Sequence, residues 1–269
     1  MAQPKILVLA GYGLNCEEET ALSFELAAPR LRSGSSSIKA DIVHINDLIA
    51  EKNKLMKYQI LAVPGGFSYG DDTGSGKAYA NKLKNHLKNQ LYQFAEKDKL
   101  IIGICNGFQI LTNFGLLPGA LTFNDFPRYT ARWTDIRLSK VTFDTSPWLK
   151  EIKALSLPIA HGEGKFYASD ETLAIMKKQG QIAAKYTKGE ISTAQNLKPN
   201  PNGSMLDIAM ITSADGKILG TMPHPERAVF FTQAPNWTLK KEKLMRAGKP
   251  IPKFGPSLQI FKNAINYFQ

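Results

Sequence analysis

Leu100-Ile101-Ile102-Gly103-Ile104-Cys105-Asn106-Gly107-Phe108-Gln109 is the stretch on which the reading of this chain turns. Its first five residues are a short apolar run without polar alternation, the pattern of a strand buried on both faces of a parallel sheet. Phe108, Ile110 and Leu111 then begin a helix. Gly103 and Gly107, two residues either side of Cys105, permit a tight turn. A strand that passes into a helix at such a residue has the form of a nucleophile elbow, here with cysteine in place of serine. The thiol would project from the carboxyl edge of the sheet, and the helix start favours its ionised form. By themselves these residues leave a second reading open, a small and inert core cysteine.

The same rhythm extends outward. Ile6-Leu7-Val8-Leu9-Ala10 ends at Gly11-Tyr12-Gly13, Asp41-Ile42-Val43-His44-Ile45 follows, and Tyr58-Gln59-Ile60-Leu61-Ala62-Val63 stops at Pro64-Gly65-Gly66. Helices are predicted between them, over residues 17–28 and over a long stretch whose Leu83, Leu87, Leu91 and Phe94 share one face. Strands alternating with helices predict an α/β fold with a mostly parallel central sheet and helices on both faces. Beyond Gly119 helices become scarce. Residues 131–138, Val141-Thr142-Phe143, Leu157-Pro158-Ile159-Ala160, 181–186 and 208–212 read as strands, and Ser213-Ala214-Asp215-Gly216-Lys217 reads as a hairpin turn before Ile218-Leu219-Gly220. Antiparallel additions to the sheet are expected there. We expect a single domain over 1–269, with a surface loop at residues 32–37.

Lysine and arginine number 34 against 23 acids, a net charge of +11. Clustered cations would suit nucleic acid, but these are spread along the chain, and the enrichment at residues 82–99 reads as the solvated face of the long helix. Nucleic acid is therefore not expected as a partner. No segment approaches the roughly 18 apolar residues of a membrane helix, and the amino terminus lacks a signal-peptide core. With only two cysteines, a reducing, cytoplasmic setting is expected. Neither cysteines nor histidines show metal-ligand spacing. Gly11-Tyr12-Gly13-Leu14-Asn15-Cys16 lacks the third glycine of a dinucleotide fingerprint, and Gly74-Ser75-Gly76-Lys77-Ala78 lacks the first glycine and the hydroxyl residue of a P-loop. No metal and no nucleotide are expected in this chain.

A cysteine nucleophile needs a base, and the chain offers His44, His86, His161 and His224. His224 stands in Met222-Pro223-His224-Pro225-Glu226-Arg227, just after an apolar strand, where the loops of such sheets carry active sites. In an extended segment Glu226 would face the same way and orient the imidazole. Acyl chemistry also needs N–H donors for an oxyanion. We assign these to the backbone of Gly66, in the glycine-rich loop Pro64-Gly65-Gly66-Phe67-Ser68-Tyr69-Gly70, and of Asn106.

Taken together, Pro64 to Asp71, Gly103 to Gln109 and Pro223 to Arg227 resemble the class I glutamine amidotransferases, in the order cysteine, histidine, glutamate. Ala160-His161-Gly162-Glu163-Gly164-Lys165-Phe166, Asn202-Gly203-Ser204 with Asp207-Ile208-Ala209, and Gly13-Leu14-Asn15-Cys16-Glu17 are similar to the glutaminase subunits of phosphoribosylformylglycinamidine synthase. The match spans nearly the whole chain. The resemblance implies a flavodoxin-like glutaminase in which Cys105 is the nucleophile, His224 the base and acid, and Glu226 its orienter. It also implies that Gln109 and the His161-Gly162-Glu163 segment contact the glutamine substrate. The ammonia would pass to a separate synthetase subunit, the user of ATP and Mg, with a small accessory subunit compatible with the assembly. Alternatives are a glutaminase for another ammonia acceptor, or a non-catalytic binding protein on the same scaffold.

Two places depart from that pattern. Asp72-Thr73-Gly74-Ser75-Gly76-Lys77 stands where many members carry an arginine, which bears on partner contacts. Residues 232–256 form a long basic insertion, with Lys240, Lys241, Lys243, Arg246, Lys249 and Lys253 against Glu242. We expect this loop to dock on an acidic face of the synthetase or to fold over the mouth of the site.

Overall fold

The computed structural model describes residues 3–29, 38–70, 73–194 and 196–269; the stretch 32–37 predicted as a surface loop lies outside them, as do Asp71 and Asp72. Ile6, Leu7, Val8, Ile60, Ala62, Ile101 and Ile102 are closed off from solvent, so their strands need cover on both faces. In chain order the elements are β1 (Ile6–Ala10), α1 (Glu17–Ala27), β2 (Ala40–His44), α2 (Ile45–Ala50), β3 (Ile60–Val63), α3 (Lys77–Glu96), β4 (Leu100–Ile104) and α4 (Asn106–Phe114). There follow β5 (Ala120–Thr122), β6 (Thr130–Leu138), α5 (Lys140–Thr145), β7 (Ala154–His161), β8 (Lys165–Tyr167), α6 (Asp170–Lys178), β9 (Ile182–Tyr186) and α7 (Glu190–Ala194). The chain closes with β10 (Ile208–Thr212), β11 (Ile218–Thr221), α8 (Trp237–Arg246) and α9 (Leu258–Asn266).

Nine strands form one sheet in the order β2-β1-β3-β4-β11-β10-β9-β6-β7, and β5 pairs with β8 apart from it. Pairing is parallel from β2 through β4 to β11. From β11 outward it is antiparallel. The antiparallel strands all lie beyond Gly119, where the sequence changes rhythm, but β11 from that same half joins the parallel body. The β1-to-β2 and β3-to-β4 crossovers run toward opposite edges, so right-handed connection sends α1 and α3 to opposite faces. α1 packs on α9, with the Phe24 ring edge-on to Phe261 at 5.0 Å. α3 packs on α4, burying Leu83, Leu87, Leu91 and Phe94 while Lys84 and Lys88 stay in solvent. One buried apolar core runs from Ile6 to Ile265.

Two expectations are corrected. Val141-Thr142-Phe143 lies in α5, not in a strand. β6 has β7 on one side and β9 on the other, so the chain leaving it finds no free edge on that strand and closes local bonds instead, among them Thr145 Oγ1 to the Val141 carbonyl at 2.8 Å. The 232–256 segment is not a bare loop either, because it contains α8. Helix-forming Leu, Lys, Glu and Met residues build that helix, a Glu242–Arg246 pair at 2.7 Å braces it, and Gly248 at φ 62 followed by Pro250 ends it. α8 buries none of its residues. Its segment is pinned at the base by the Phe230–Phe254 bridge and by the facing rings of those two residues. No described helix is long and apolar enough to cross a membrane.

Candidate active site

The elbow is strained as an elbow should be. Cys105 has φ 50 and ψ −105, a conformation that costs a residue with a side chain about 1–3 kcal/mol and persists only where neighbours enforce it. Its N–H donates to the Thr221 carbonyl at 2.7 Å, and its carbonyl accepts from the Gln109 N–H at 3.1 Å. Gly107 seats α4 against β3 so closely that a Cβ there would lie 1.8 Å from the Val63 carbonyl oxygen. The Cys105 thiol lies 3.7 Å from the Ala160 carbonyl.

The histidine expected to act as base follows the neighbouring strand of the sheet. β11 pairs parallel with β4, Gly220 opposite Gly103 and Thr221 opposite Ile104, so the chain leaving β11 emerges beside the elbow. The His224 N–H donates to the Pro158 carbonyl of β7 at 2.8 Å. His224 Nδ1 and Glu226 Oε1 are 2.5 Å apart, and both residues are buried. The route to that contact differs from the extended one expected. Residues Pro225–Ala228 form a short 3-10 turn, and this turn, not strand alternation, brings the carboxylate round to Nδ1. Burial pushes the imidazole pKa down, but the negative charge of Glu226, then of Cys105, outweighs it and holds His224 well above its ordinary value. Nδ1 is committed to Glu226, while His224 Nε2 and Glu226 Oε2 have no hydrogen-bond partner among the described residues.

Gly66 has φ 153, and a Cβ there would meet the Gly13 carbonyl oxygen at 2.3 Å. Phe67 N–H to Gly13 and Asn15 N–H to Gly65 flank it. The N–H groups of Gly66 and of Asn106, the latter in the first turn of α4, meet no acceptor among the described residues. The Asn106 side chain accepts from the Ser68 N–H at 3.2 Å and donates to Gln109 Oε1 at 2.8 Å. Gln109 Nε2 donates to the Glu163 carbonyl at 2.5 Å, and the Glu163 carboxylate accepts from the Ser75 N–H at 3.3 Å. Thus the segment departing from the family pattern is tied at Ser75 to the same wall. Gly162 faces open space, where a Cβ would touch nothing. His161 behaves otherwise: its ring is held by Asn124 Oδ1 at 3.2 Å and Asn202 Nδ2 at 3.5 Å. Burial, with the nearby His224 charge, lowers its pKa to about 3.

Three neighbours of Cys105, His224 and Glu226 were given no role by the sequence reading. Cys16 and Arg227 lie beside His224, with Arg227 Nη2 donating to Cys16 Sγ at 2.9 Å. The exposed Tyr129, its ring 5.9 Å from Phe67, feels the charges of Cys105, Arg227 and His224. The available signal for Cys16 was its place after β1, because the loops beyond parallel strands converge on one edge. Cys16, His224 and Glu226 also bring ligand-type atoms within 4.8 Å of one another. A guanidinium already bonded to the sulfur opposes a second cation there.

The family model of the CobB/CobQ-like glutamine amidotransferase domain matches residues 3–268, and the chain belongs to that family. Within the class it is 47% identical to phosphoribosylformylglycinamidine synthase subunit PurQ of Methanococcus maripaludis, over 98% of this chain and 97% of that one. It is 38% identical to the protein of the same name from Dehalococcoides mccartyi, over 99% and 98% of the two chains. The solved structure of PurLQS from Thermotoga maritima matches over 100% of both chains, with a TM-score of 0.72 and 26% identity.

Proposed function

We propose that this chain is the glutaminase subunit of a phosphoribosylformylglycinamidine synthase. The observation that carries the reading is the strained Cys105 at the β4–α4 junction, with the His224–Glu226 pair at the end of the adjoining parallel strand β11. Cys105 thiolate attacks the carboxamide carbon of glutamine. The N–H groups of Gly66 and Asn106 receive the oxyanion. His224 delivers a proton from Nε2 to the departing nitrogen, ammonia leaves, and a glutamyl thioester remains. Water that gives its proton to His224 then attacks the thioester, releasing glutamate and the thiolate. Glu226 keeps the imidazole oriented and stabilises its charged form.

Gln109, Gly162 and Glu163 line the glutamine site in this reading, and His161 shapes it through its backbone, its ring being engaged by two asparagines. The ammonia passes to a synthetase chain that uses ATP and Mg to convert formylglycinamide ribonucleotide to formylglycinamidine ribonucleotide. This chain needs no cofactor of its own for these steps, and its two free cysteines suit a reducing cytoplasm. The basic α8 segment is our candidate contact with that synthetase, on the ground of its charge. The test is ammonia release from glutamine, measured alone and with the synthetase: hydrolysis stimulated by the partner is expected, and its absence in both settings would overturn the reading.

A further inference from the structure

The second thiol, Cys16, is built into the back of the site. It stands at the start of α1 and is 1% exposed. Its N–H donates to the Gly65 carbonyl at 3.2 Å, and its carbonyl accepts from the Thr20 hydroxyl at 2.6 Å. The sulfur accepts from Arg227 Nη2 at 2.9 Å and donates weakly to Asn15 Oδ1 at 3.5 Å. Arg227 Nε in turn lies 3.5 Å from Glu19 and 4.0 Å from Glu226. Between the sulfur and the imidazole there is no room for another side chain. A Cβ on Gly65 would come within 2.8 Å of His224 Cε1 and 3.2 Å of Cys16 Sγ. A second observation concerns the pair beside it: ligand-type atoms of Cys16, His224 and Glu226 lie within 4.8 Å of one another, and His224 Nε2 and Glu226 Oε2, on residues 2% and 1% exposed, are buried without hydrogen-bond partners among the described residues.

We propose that Cys16 is a positioning residue of the glutaminase reaction: its thiol, clamped by Arg227, backs the His224–Glu226 pair and fixes the direction in which Nε2 points toward Cys105. This rests on the proposed roles of Cys105 and His224. Cys16 does not bond carbon itself. Burial, the largest effect, raises its pKa and Glu226 adds to the rise, outweighing the lowering by His224 and Arg227. It therefore stays a thiol, and the thiol is the poor nucleophile. Contact with the Cys16 sulfur adds to the influences that raise the His224 pKa and so favour the imidazolium that must protonate ammonia. The other groups facing the pair are Cys105 from the elbow, Glu19 from α1, Arg227 from the following turn, His161 from β7 and Tyr129 before β6.

The experiment measures kcat, KM and the pH profile of glutamine hydrolysis in the synthetase complex for wild type, Cys16→Ser, Cys16→Ala and Cys16→Val. Thermal melts report the folded fraction, and the valine variant separates a lost thiol from an empty cavity. We expect Ala and Val to lower kcat about tenfold or more at nearly constant KM. Their alkaline limb should move to lower pH, because the imidazolium is lost earlier, while Cys16→Ser restores both readouts. Unchanged kcat in the two apolar variants, or a fall in kcat with the limb unmoved, would overturn the proposal. Cys105→Ala is run beside them. Glutamine use surviving in that variant defeats the site assignment itself, whereas a dead Cys105→Ala with normal Cys16 variants defeats only the positioning role.

Discussion

Glu226 Oε1 lies 2.5 Å from His224 Nδ1, and neither side chain is more than 2% exposed. A carboxylate removed from water at that range has the imidazole as the hydrogen-bond partner of Oε1, with Arg227 Nε 4.0 Å from the same oxygen, while Oε2 has no hydrogen-bond partner among the described residues. Glu226→Gln keeps the shape and removes the charge. It should lower glutamine hydrolysis by about tenfold to a thousandfold, less than His224→Ala, since the orienter contributes less than the base it orients. Steady-state rates of the two variants decide this, and a glutamine variant as impaired as the alanine one would count against an orienting role.

Cys105→Ala should abolish synthesis driven by glutamine and spare synthesis driven by ammonium salts, because only the ammonia source is lost. The readout is product formed with each nitrogen donor in the reconstituted complex. Loss of both activities would mean that the residue supports the partner rather than the chemistry.

Electrophilic glutamine analogues should label Cys105 and leave Cys16 intact. Both thiols are buried, but Cys105 sits on the elbow beside the free N–H donors, whereas Cys16 is clamped by Arg227 and kept protonated by burial. Peptide mass mapping after brief exposure tests this; label on Cys16 alone would reverse the two roles.

Acid should weaken the fold through His161. In the folded chain its pKa is lowered to about 3, so between about pH 6.5 and 3 the unfolded chain binds a proton that the native one does not. Stability is therefore lost as pH falls through that window. From pH 7 to 5 the difference amounts to roughly 2 kcal/mol. Urea unfolding of wild type and His161→Gln at both values isolates it, because other titrating groups cancel in the comparison. Parallel pH dependences would show that the ring is not buried neutral.

Reversing Lys241, Lys243 and Lys249 to glutamate should weaken association with the synthetase and flatten its salt dependence, without changing the melt, since all three residues are exposed. Lys240 is left alone because it approaches Glu190 at 3.9 Å. Binding measured at two ionic strengths decides; equal affinities and equal salt slopes would make this segment a plain surface insertion.

The parallel half of the fold was legible because apolar runs such as Ile101-Ile102 and Leu7-Val8 carry their own signal, and glycines mark where each ends. The elbow was legible for the same reason. What the sequence hid was contact made by turns and by distant segments. Glu226 reaches His224 through a 3-10 turn that proline-rich sequence does not distinguish from extended chain. β-branched Val141 and Thr142 suggested a strand until the neighbours of β6 removed the edge it would have needed. Cys16 was hidden more deeply: its role depends on Arg227, 211 positions away, and nothing local to either residue announces the pairing.

β11 is inserted between β4 and β10 in the middle of the sheet, although it is made after every other strand. On the ribosome, then, the first half of the protein emerges with the Cys105 N–H still lacking its Thr221 acceptor and one flank of β4 bare. That flank is an apolar, unpaired edge of the kind that seeks other chains. Only when residues 218–221 have emerged can the edge be covered, and the same event delivers the histidine to the cysteine. Assembly of the candidate active site and removal of the aggregation hazard are thus one step in biogenesis. Fragments ending before β11 should be sticky as well as inert, and a split version of the protein would do better divided elsewhere.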